Sequence, residues 1–172
     1  MDEQELRIRD AGEADRDAVR RVTLAAYEEY AAVMPEPLWT EYRRELLAAL
    51  DAEGPVERIV AEQDSTIVGS VLLFPPAADA YGGTAARVDA PEVRLLAVSP
   101  AARGQGVGAA LMEECIRRAR RAGAAALGLH TTDVMHVAMR MYERMGFVRV
   151  PDRDFRPAES VLVKGYLLDL RA

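Results

Sequence analysis

The sequence predicts an α+β fold, a mixed α/β arrangement in which one central sheet is flanked by helices. Three observations support this class. Short apolar or alternating runs of strand length recur along the chain, amphipathic stretches lie between them, and Asp64-Ser65 joins two of the apolar runs as a tight turn. This order combines antiparallel neighbours with strand–helix–strand crossovers, which is typical of a mixed sheet covered by helices.

The first third of the chain predicts one strand and two helices. Residues 6–9 alternate in polarity and form the first strand. Between residues 13 and 32, apolar side chains recur three and four positions apart, which indicates an amphipathic helix that the prolines of residues 34–37 end. A second helix runs to Gly54-Pro55; its apolar face consists of Leu38, Tyr42, Leu46, Ala49 and Leu50.

The middle of the chain predicts a hairpin, a loop, a strand and a helix. Residues 56–63 and 66–74 are the hairpin strands, and residues 75–91, rich in Pro, Ala and Gly, form a loop. Glu92–Val98 is the next strand. The helix that follows begins at about Val107 and ends at Gly123. Its buried side consists of Val107, Leu111 and Cys115.

The last third predicts three strands and one helix. Residues 125–131, 147–150 and 161–170 are the strands, and residues 151–157 connect the last two. A helix lies between the first two of these strands. Its buried stripe consists of Val134, Ala138, Met141 and Met145, and Tyr142 lies beside that stripe.

Composition limits the class of protein and of partner. The 172 residues suit a single domain, residues 1–172. Lys plus Arg is 22 and Asp plus Glu is 28, a net charge of −6 that argues against a nucleic-acid partner. Cys115 is the single cysteine, which excludes an internal disulfide. The sequence has neither an apolar run of about 20 residues nor a signal-peptide pattern, so we expect no membrane partner and a cytoplasmic location.

A glycine-rich turn between strand and helix is the strongest functional signal. From Arg103 to Gly108 it has the spacing Arg-x-x-Gly-x-Gly. Glycines let a phosphate approach the backbone, because no Cβ holds it away. Free amides at the start of the following helix then face the anion. The spacing is neither the dinucleotide fingerprint nor a Walker loop, which requires a Lys-Ser/Thr pair.

This turn resembles the acyl-CoA pyrophosphate loop of the GNAT acetyltransferases, and a second segment agrees. Ala138, Tyr142 and Gly146-Phe147 have the order and spacing found near the end of a GNAT domain. From about residue 6 to residue 170 the chain is therefore identified as a member of that family. The resemblance implies a central mixed, mostly antiparallel sheet in which the fourth and fifth strands, here Glu92–Val98 and residues 125–131, splay apart to admit the cofactor.

The resemblance also implies where acetyl-CoA binds and where CoA leaves as co-product. The pantetheine arm runs along one strand, and the Val98 amide there would polarise the thioester carbonyl. Arg103 either adds charge to the phosphate site or is a solvated arginine. The expected cofactor-binding residues are Leu96, Ala97, Val98, Arg103, Gly104, Gln105, Gly106, Val107, Gly108 and Ala109. Met135 stands where many relatives have an asparagine, and methionine cannot make that asparagine's hydrogen bond.

Tyr142 is the candidate general acid. The reference pKa values of a thiol and a phenol are near 8.5 and 10, so a phenol can protonate or hydrogen-bond the departing CoA thiolate. A buried core tyrosine with a satisfied hydroxyl is the alternative interpretation of the same residue.

Glu92 is the candidate general base, acting directly or through water on the attacking amine; a solvent-facing strand glutamate is the alternative. Asp89, Glu28 and Glu29 are weaker candidates for this role. His130 is either a second base or a satisfied strand histidine. His130 and His136 lie on different elements without a cysteine pair, so no metal is expected.

The predicted function is N-acetyl transfer from acetyl-CoA to a primary amine of a small molecule or peptide, by direct attack. A sensor that binds acyl-CoA without turnover, another acyl donor, and a hydroxyl acceptor are the alternatives. Either a monomer or a homodimer fits. By resemblance, the acceptor site draws on Tyr27, Glu28, Tyr30, Trp39, Tyr42, Arg153, Phe155 and Arg156.

Overall fold

The computed structural model describes residues 5–76 and 89–171, and the chain divides into two compact units. The first consists of Met1–Leu73 and Leu95–Glu114, the second of Phe74–Arg94 and Cys115–Ala172. The predicted loop over residues 75–91 lies largely, at residues 77–88, outside the described residues. No helix within the described ranges is long and apolar enough to cross a membrane.

The first unit contains an antiparallel sheet and its helices. Strand β1 pairs with β2 and β2 with β3, all antiparallel. Asp64 and Ser65, with φ of 49° and 63°, make the left-handed turn that such a hairpin requires. The elements are β1 (Leu6–Asp10), α1 (Arg16–Tyr27), α2 (Glu36–Leu50), β2 (Glu57–Gln63), β3 (Thr66–Phe74), the end of β4 (Glu92–Val98) and the start of α3 (Val107–Arg121).

Close packing positions the start of α3 in the first unit. A Cβ built on Gly69 of β3 would lie 2.9 Å from Val107 Cγ1 and 3.1 Å from the Ala97 carbonyl oxygen. Only glycine permits this approach, so the turn between β4 and α3 has a fixed place against β3. The predicted inward side of α3 is confirmed, since Val107, Leu111 and Cys115 are all buried.

The second unit is built around the long strand β8. Strands β5, β6 and β7 each pair antiparallel with β8, and β4 pairs parallel with β5 through Glu92↔Gly128 and Val93↔Leu129. The predicted class, mostly antiparallel with one parallel pair and flanking helices, is confirmed. The elements are β5 (Ala126–Thr131), α4 (His136–Arg144), β6 (Val148–Arg149), β7 (Phe155–Ala158) and β8 (Val161–Asp169).

The predicted bounds of the first two helices were too wide. Helix α1 is flanked by 3₁₀ turns at Glu13–Asp15 and Glu28–Ala32, and the first turn forms because the Asp15 carboxylate accepts a hydrogen bond from the Gly12 amide at 2.7 Å. Helix α2 ends at Leu50, before Gly54-Pro55, because the Arg58 guanidinium donates to the carbonyls of Leu50 and Ala52 and so satisfies the helix end.

The predicted stripe of α4 was also wrong. Val134 lies in a 3₁₀ turn, Asp133–Met135, and the helix begins only at His136. Tyr142 is the residue of α4 that is buried, whereas Ala138, Met141 and Met145 are half-buried. The connection over residues 151–157 is not plain loop, because it contains a 3₁₀ turn, Pro151–Arg153, and the start of β7.

Candidate active site

The glycine turn of the first unit has the geometry of an anion site. Gly104 and Gly106 have φ of 75° and 80°, a conformation that side chains disfavour. A Cβ built on either glycine meets nothing within 4 Å. Backbone conformation thus requires both glycines, and the space above them is open to a ligand.

Backbone amides at the start of α3 complete this turn. The first hydrogen bond of the helix runs from the Ala110 amide to the Gly106 carbonyl, at 3.0 Å. The amides of Val107, Gly108 and Ala109 precede it, so the helix provides them with no acceptor. Oriented amides with the positive end of the helix dipole behind them suit a phosphate. The residues present therefore fit a pyrophosphate group.

Polar side chains border the glycine turn. Arg103 Nη1 lies 2.6 Å from Glu29 Oε1, in an ion pair whose side chains are 42% and 52% exposed. Gln105 accepts a hydrogen bond from Gln63 at 3.5 Å. The structure thus pairs Arg103, expected at the cofactor, with Glu29, one of the weaker base candidates. An exposed pair of this kind breaks at little cost, so it leaves Arg103 able to turn towards an anion.

Strand β4 carries a backbone irregularity at Leu95, a buried residue with φ of 55°. This conformation is costly for a large side chain and persists only where surrounding structure holds it. The Tyr27 hydroxyl donates to the Leu96 carbonyl at 3.1 Å, and the Ser99 amide donates to the Val68 carbonyl at 2.8 Å. The segment predicted to run beside pantetheine therefore starts at an anchored bend.

Four aromatic candidates for the acceptor site lie together in the first unit. The ring centroids are 5.7 Å apart for Tyr27 and Tyr30, and 6.2 Å apart both for Tyr27 and Tyr42 and for Trp39 and Tyr42. Burial raises the pKa of the Tyr30 hydroxyl, although the nearby charge of Arg103 opposes this shift. That hydroxyl stays neutral and able to donate a hydrogen bond.

In the second unit, Glu92 is not a solvent-facing glutamate. Its Oε1 lies 2.5 Å from His130 Nδ1, and the side chains of His130 and Glu92 are only 2% and 6% exposed. His130 Nε2 lies 2.8 Å from the Arg153 carbonyl oxygen, and the ring packs edge-on against Phe155 at 5.2 Å. The structure thus joins the candidate base to the histidine considered as its alternative.

Two glycines leave room for Glu92 and for Arg153, whose carbonyl faces His130. Gly128 lies opposite Glu92, and a Cβ there would overlap Glu92 Oε2 and lie 3.3 Å from Arg153 Nη1. A Cβ on Gly165, which pairs with His130, would lie 2.5 Å from Arg153 Cβ. Sequence reasoning missed the Glu92–His130 contact; a glycine two positions before a histidine inside a strand was the available signal.

Tyr142 lies in the core of the second unit, 7% exposed. Its ring packs edge-on against Phe147 at 5.9 Å, and its carbonyl accepts from the Phe147 amide at 3.0 Å. Gly146, with φ of 99°, makes the sharp exit from α4 that this contact needs. The Tyr-x-x-x-Gly-Phe spacing therefore fixes the ring of Tyr142.

The remaining candidates are more exposed. Asp89 and Glu28 are exposed; His136 is exposed too, and its Nδ1 lies 2.8 Å from the Asp133 carbonyl. Arg156 donates to the Glu159 carbonyl. Within residues 5–76 and 89–171, no group of three or more His, Cys, Asp or Glu side chains is placed to hold a metal ion.

The chain belongs to the acetyltransferase (GNAT) family, whose model matches residues 23–147. That span includes the glycine turn, Glu92, His130 and Tyr142. None of the curated proteins matches the chain.

Solved structures share the fold at low identity. A histone acetyltransferase HPA2 and related acetyltransferase from Corynebacterium glutamicum is 24% identical, with a TM-score of 0.70 over 94% of both chains. The PaiA N-acetyltransferase of Thermoplasma acidophilum, in complex with coenzyme A, is 18% identical, with a TM-score of 0.69 over 94% of this chain and 98% of that one. The ribosomal-protein-S18-alanine N-acetyltransferase of Escherichia coli is 18% identical, with a TM-score of 0.67 over 98% and 96%.

Proposed function

We propose that this protein transfers an acetyl group from acetyl-CoA to a primary amine of a small molecule or peptide, by direct attack. The single observation that carries the proposal is the turn at Gly104 and Gly106, where left-handed glycines face open space in a chain of the acetyltransferase family. Bound acetyl-CoA would supply the thioester that is attacked.

Backbone groups of the first unit bind the cofactor in this proposal. The amides of Gly104, Gln105, Gly106, Val107, Gly108 and Ala109 would hold the pyrophosphate, because they lie in or just after the turn. Arg103 would add charge after leaving Glu29. The pantetheine arm would extend along Leu96, Ala97 and Val98, and the Val98 amide would stabilise the developing oxyanion.

Two side chains of the second unit handle protons in this proposal. Tyr142 would donate its phenol proton, or a hydrogen bond, to the departing thiolate. Glu92 would take the proton that the ammonium group must lose before nitrogen can attack. The fixed ring of Tyr142 and the anchored carboxylate of Glu92 support these roles, since both groups are held in one orientation.

The acceptor is an amine in this proposal because aromatic rings and an exposed carboxylate lie together among the acceptor candidates of the first unit. Tyr27, Tyr30, Trp39 and Tyr42 form one aromatic group, and Glu28 is exposed on the turn after α1. Aromatic faces and carboxylates attract an ammonium group. The structural neighbours carry names with different acceptors, so the fold leaves the choice of amine to these side chains.

Thiol release measured against a panel of amines tests the proposed function. Purified protein with acetyl-CoA should release CoA faster when the correct amine is present, and the product should carry one acetyl group by mass. Calorimetry with acetyl-CoA is run in parallel, and the lack of binding would overturn the proposal.

Three further outcomes of the same assay would replace the amine acetyltransferase with a different activity. Binding of acetyl-CoA without thiol release for any amine would favour a sensor that binds the cofactor without turnover. Faster release with hydroxyl compounds than with amines would favour O-acetyl transfer. Faster release from a longer acyl-CoA than from acetyl-CoA would favour a different acyl donor.

A further inference from the structure

The hydrogen bonds of His130 define where its protons are. A carbonyl oxygen can only accept, so the nitrogen that faces the Arg153 carbonyl, Nε2, carries a hydrogen. Nδ1 then faces Glu92 Oε1 at 2.5 Å. An imidazole nitrogen and a carboxylate oxygen approach this closely only with a proton between them. The arrangement therefore holds one shared proton on the Nδ1–Oε1 line.

Anchors outside the pair keep these two atoms together. The Arg153 carbonyl holds the far side of the imidazole. Gly128 lies against the Glu92 carboxylate and has no Cβ that would displace it. The turn that carries Arg153 is fixed in turn: the Asp154 carboxylate binds the Arg149 guanidinium and accepts from the Gly165 amide at 2.9 Å. Removing the shared proton would leave two lone pairs facing each other in a rigid frame.

We infer that His130 is a positioning residue for the proposed base, and that the Glu92–His130 pair, not Glu92 alone, is the unit that accepts the amine proton. This inference rests on the proposed function. The N–H bond of the ammonium breaks, its electron pair stays on nitrogen for attack, and the proton enters at the Glu92 carboxylate. In the form that reacts, the Nδ1–Oε1 line holds no proton, and the proton that leaves the ammonium comes to rest there, between Oε1 and Nδ1.

The charged neighbours of the pair are the same in the wild type and in a His130 variant, so the imidazole sets the direction of the pH effect. From the turn before β7, the Arg153 guanidinium approaches the same face of Gly128 as Glu92 Oε2. Asp154, close by, is neutralised by Arg149. An imidazole keeps its proton to a higher pH than a carboxylic acid does, with reference values near 6.5 and 4.3. Loss of the imidazole should therefore move the acid side of the activity profile to lower pH.

The test compares His130→Gln with His136→Gln, which removes the protein's other histidine. The pH dependence of kcat is measured with one amine throughout, so that the amine's own titration cancels. In His130→Gln, kcat should fall, the KM for acetyl-CoA should stay unchanged, and the acid limb should move down by about one pH unit or more. His136→Gln should leave the limb in place. A limb unmoved in active His130→Gln protein would overturn the inference.

Nitrogen-15 spectra of the two histidines separate this inference from the proposed function, because they need no turnover. His130 Nε2 should be protonated throughout, and Nδ1 should lose its proton over the pH range in which kcat rises. Glu92→Gln should remove the Nδ1 proton. An Nδ1 without a proton below that range, or one indifferent to Glu92→Gln, would overturn the shared proton even if transfer activity is found. If the spectra are as predicted but no acetyl transfer is found with any acceptor, the result counts against the proposed function and not against the shared proton.

Discussion

The glycine turn of the first unit and the Glu92–His130 pair of the second present polar groups in opposite ways. The turn presents backbone amides to open space, around Gly104 and Gly106. The pair consists of side chains that are almost fully buried, with both imidazole nitrogens already engaged. The first arrangement suits a ligand that arrives and leaves, whereas the second suits a group whose position must not vary.

The largest expected effect breaks the turn. Gly106→Glu should abolish measurable acetyl-CoA binding while the fold persists. The new carboxylate lies in the open space over the amides, where it would repel the negatively charged pyrophosphate. Gly123→Glu is the matched control: Gly123 has φ of 77°, against 80° for Gly106, and nothing lies within 4 Å of either Cβ position. Calorimetry should show a loss of at least about 100-fold, roughly 2.7 kcal/mol, only at Gly106. Equal affinities in the two folded variants would remove the phosphate-site assignment.

Tyr142→Phe should give the next largest effect. The ring and its packing on Phe147 remain, so acetyl-CoA binding should be unchanged while turnover falls by about 100-fold, the lower end for general-acid assistance because a thiolate leaves fairly well unaided. Tyr166→Phe is the control, since Tyr166 is also buried in the second unit and its hydroxyl bonds to Glu143 at 3.3 Å.

Turnover of Tyr142→Phe within about threefold of the wild type, with chemistry rate-limiting, would make Tyr142 a core residue only. A large drop that disappears with a donor bearing a better leaving group would tie the hydroxyl to the sulfur.

A pair of glycine substitutions sharpens the comparison between the two regions. Gly69→Ala pushes against Val107 at the start of α3, and Gly128→Ala pushes against the Glu92 carboxylate. Each should cost about 1–3 kcal/mol of stability. The first should raise the KM for acetyl-CoA, and the second should lower kcat and shift its acid limb, each by several-fold or less. Identical changes of KM and kcat in both variants would mean that cofactor binding and proton acceptance do not belong to separate regions.

The smallest effect concerns stability at acid pH. Hydrogen bonds from Arg9 lower the pKa of Asp15 to about 2, and those from Arg149 lower the pKa of Asp154. A lowered carboxyl pKa stabilises the folded state above the ordinary value, and the contribution is lost as pH falls through the folded value.

The unfolding free energy should therefore decline between about pH 4 and pH 2, and Asp15→Asn should flatten that decline at a cost of roughly 1 kcal/mol near neutral pH. Asp154→Asn should cost a similar amount and also lower kcat, because Asp154 holds the turn that carries Arg153. A normal kcat in Asp154→Asn would show that His130 does not depend on that turn.

The two regions also differ in how well the sequence predicts them. The turn was predictable because glycine spacing encodes backbone conformation directly. The Glu92–His130 contact had a weaker signal, Gly128 two positions before His130, because it depends on the register that sets Glu92 opposite Gly128 and joins residues 38 positions apart. The left-handed Leu95 had no signal at all, since leucine disfavours that conformation.

Most strands were predicted closely because their apolar alternation is regular, as in the hairpin over β2 and β3. The end of α2 was predicted poorly because Arg58, from β2, satisfies its last carbonyls, a contact that the apolar pattern of the helix does not contain. The start of α1 is different, since the Asp15 carboxylate shapes the turn before it through a local contact with the Gly12 amide.

Amide hydrogen exchange with and without acetyl-CoA tests the central claim most directly, because the claim is that backbone amides bind the cofactor. Saturating acetyl-CoA should slow exchange at Gly104 to Ala109, where the helix offers the amides no acceptor. The amides at the other end of α3, around Arg121 to Gly123, should be unaffected. Calorimetric binding without protection at Gly104 to Ala109 would contradict the account.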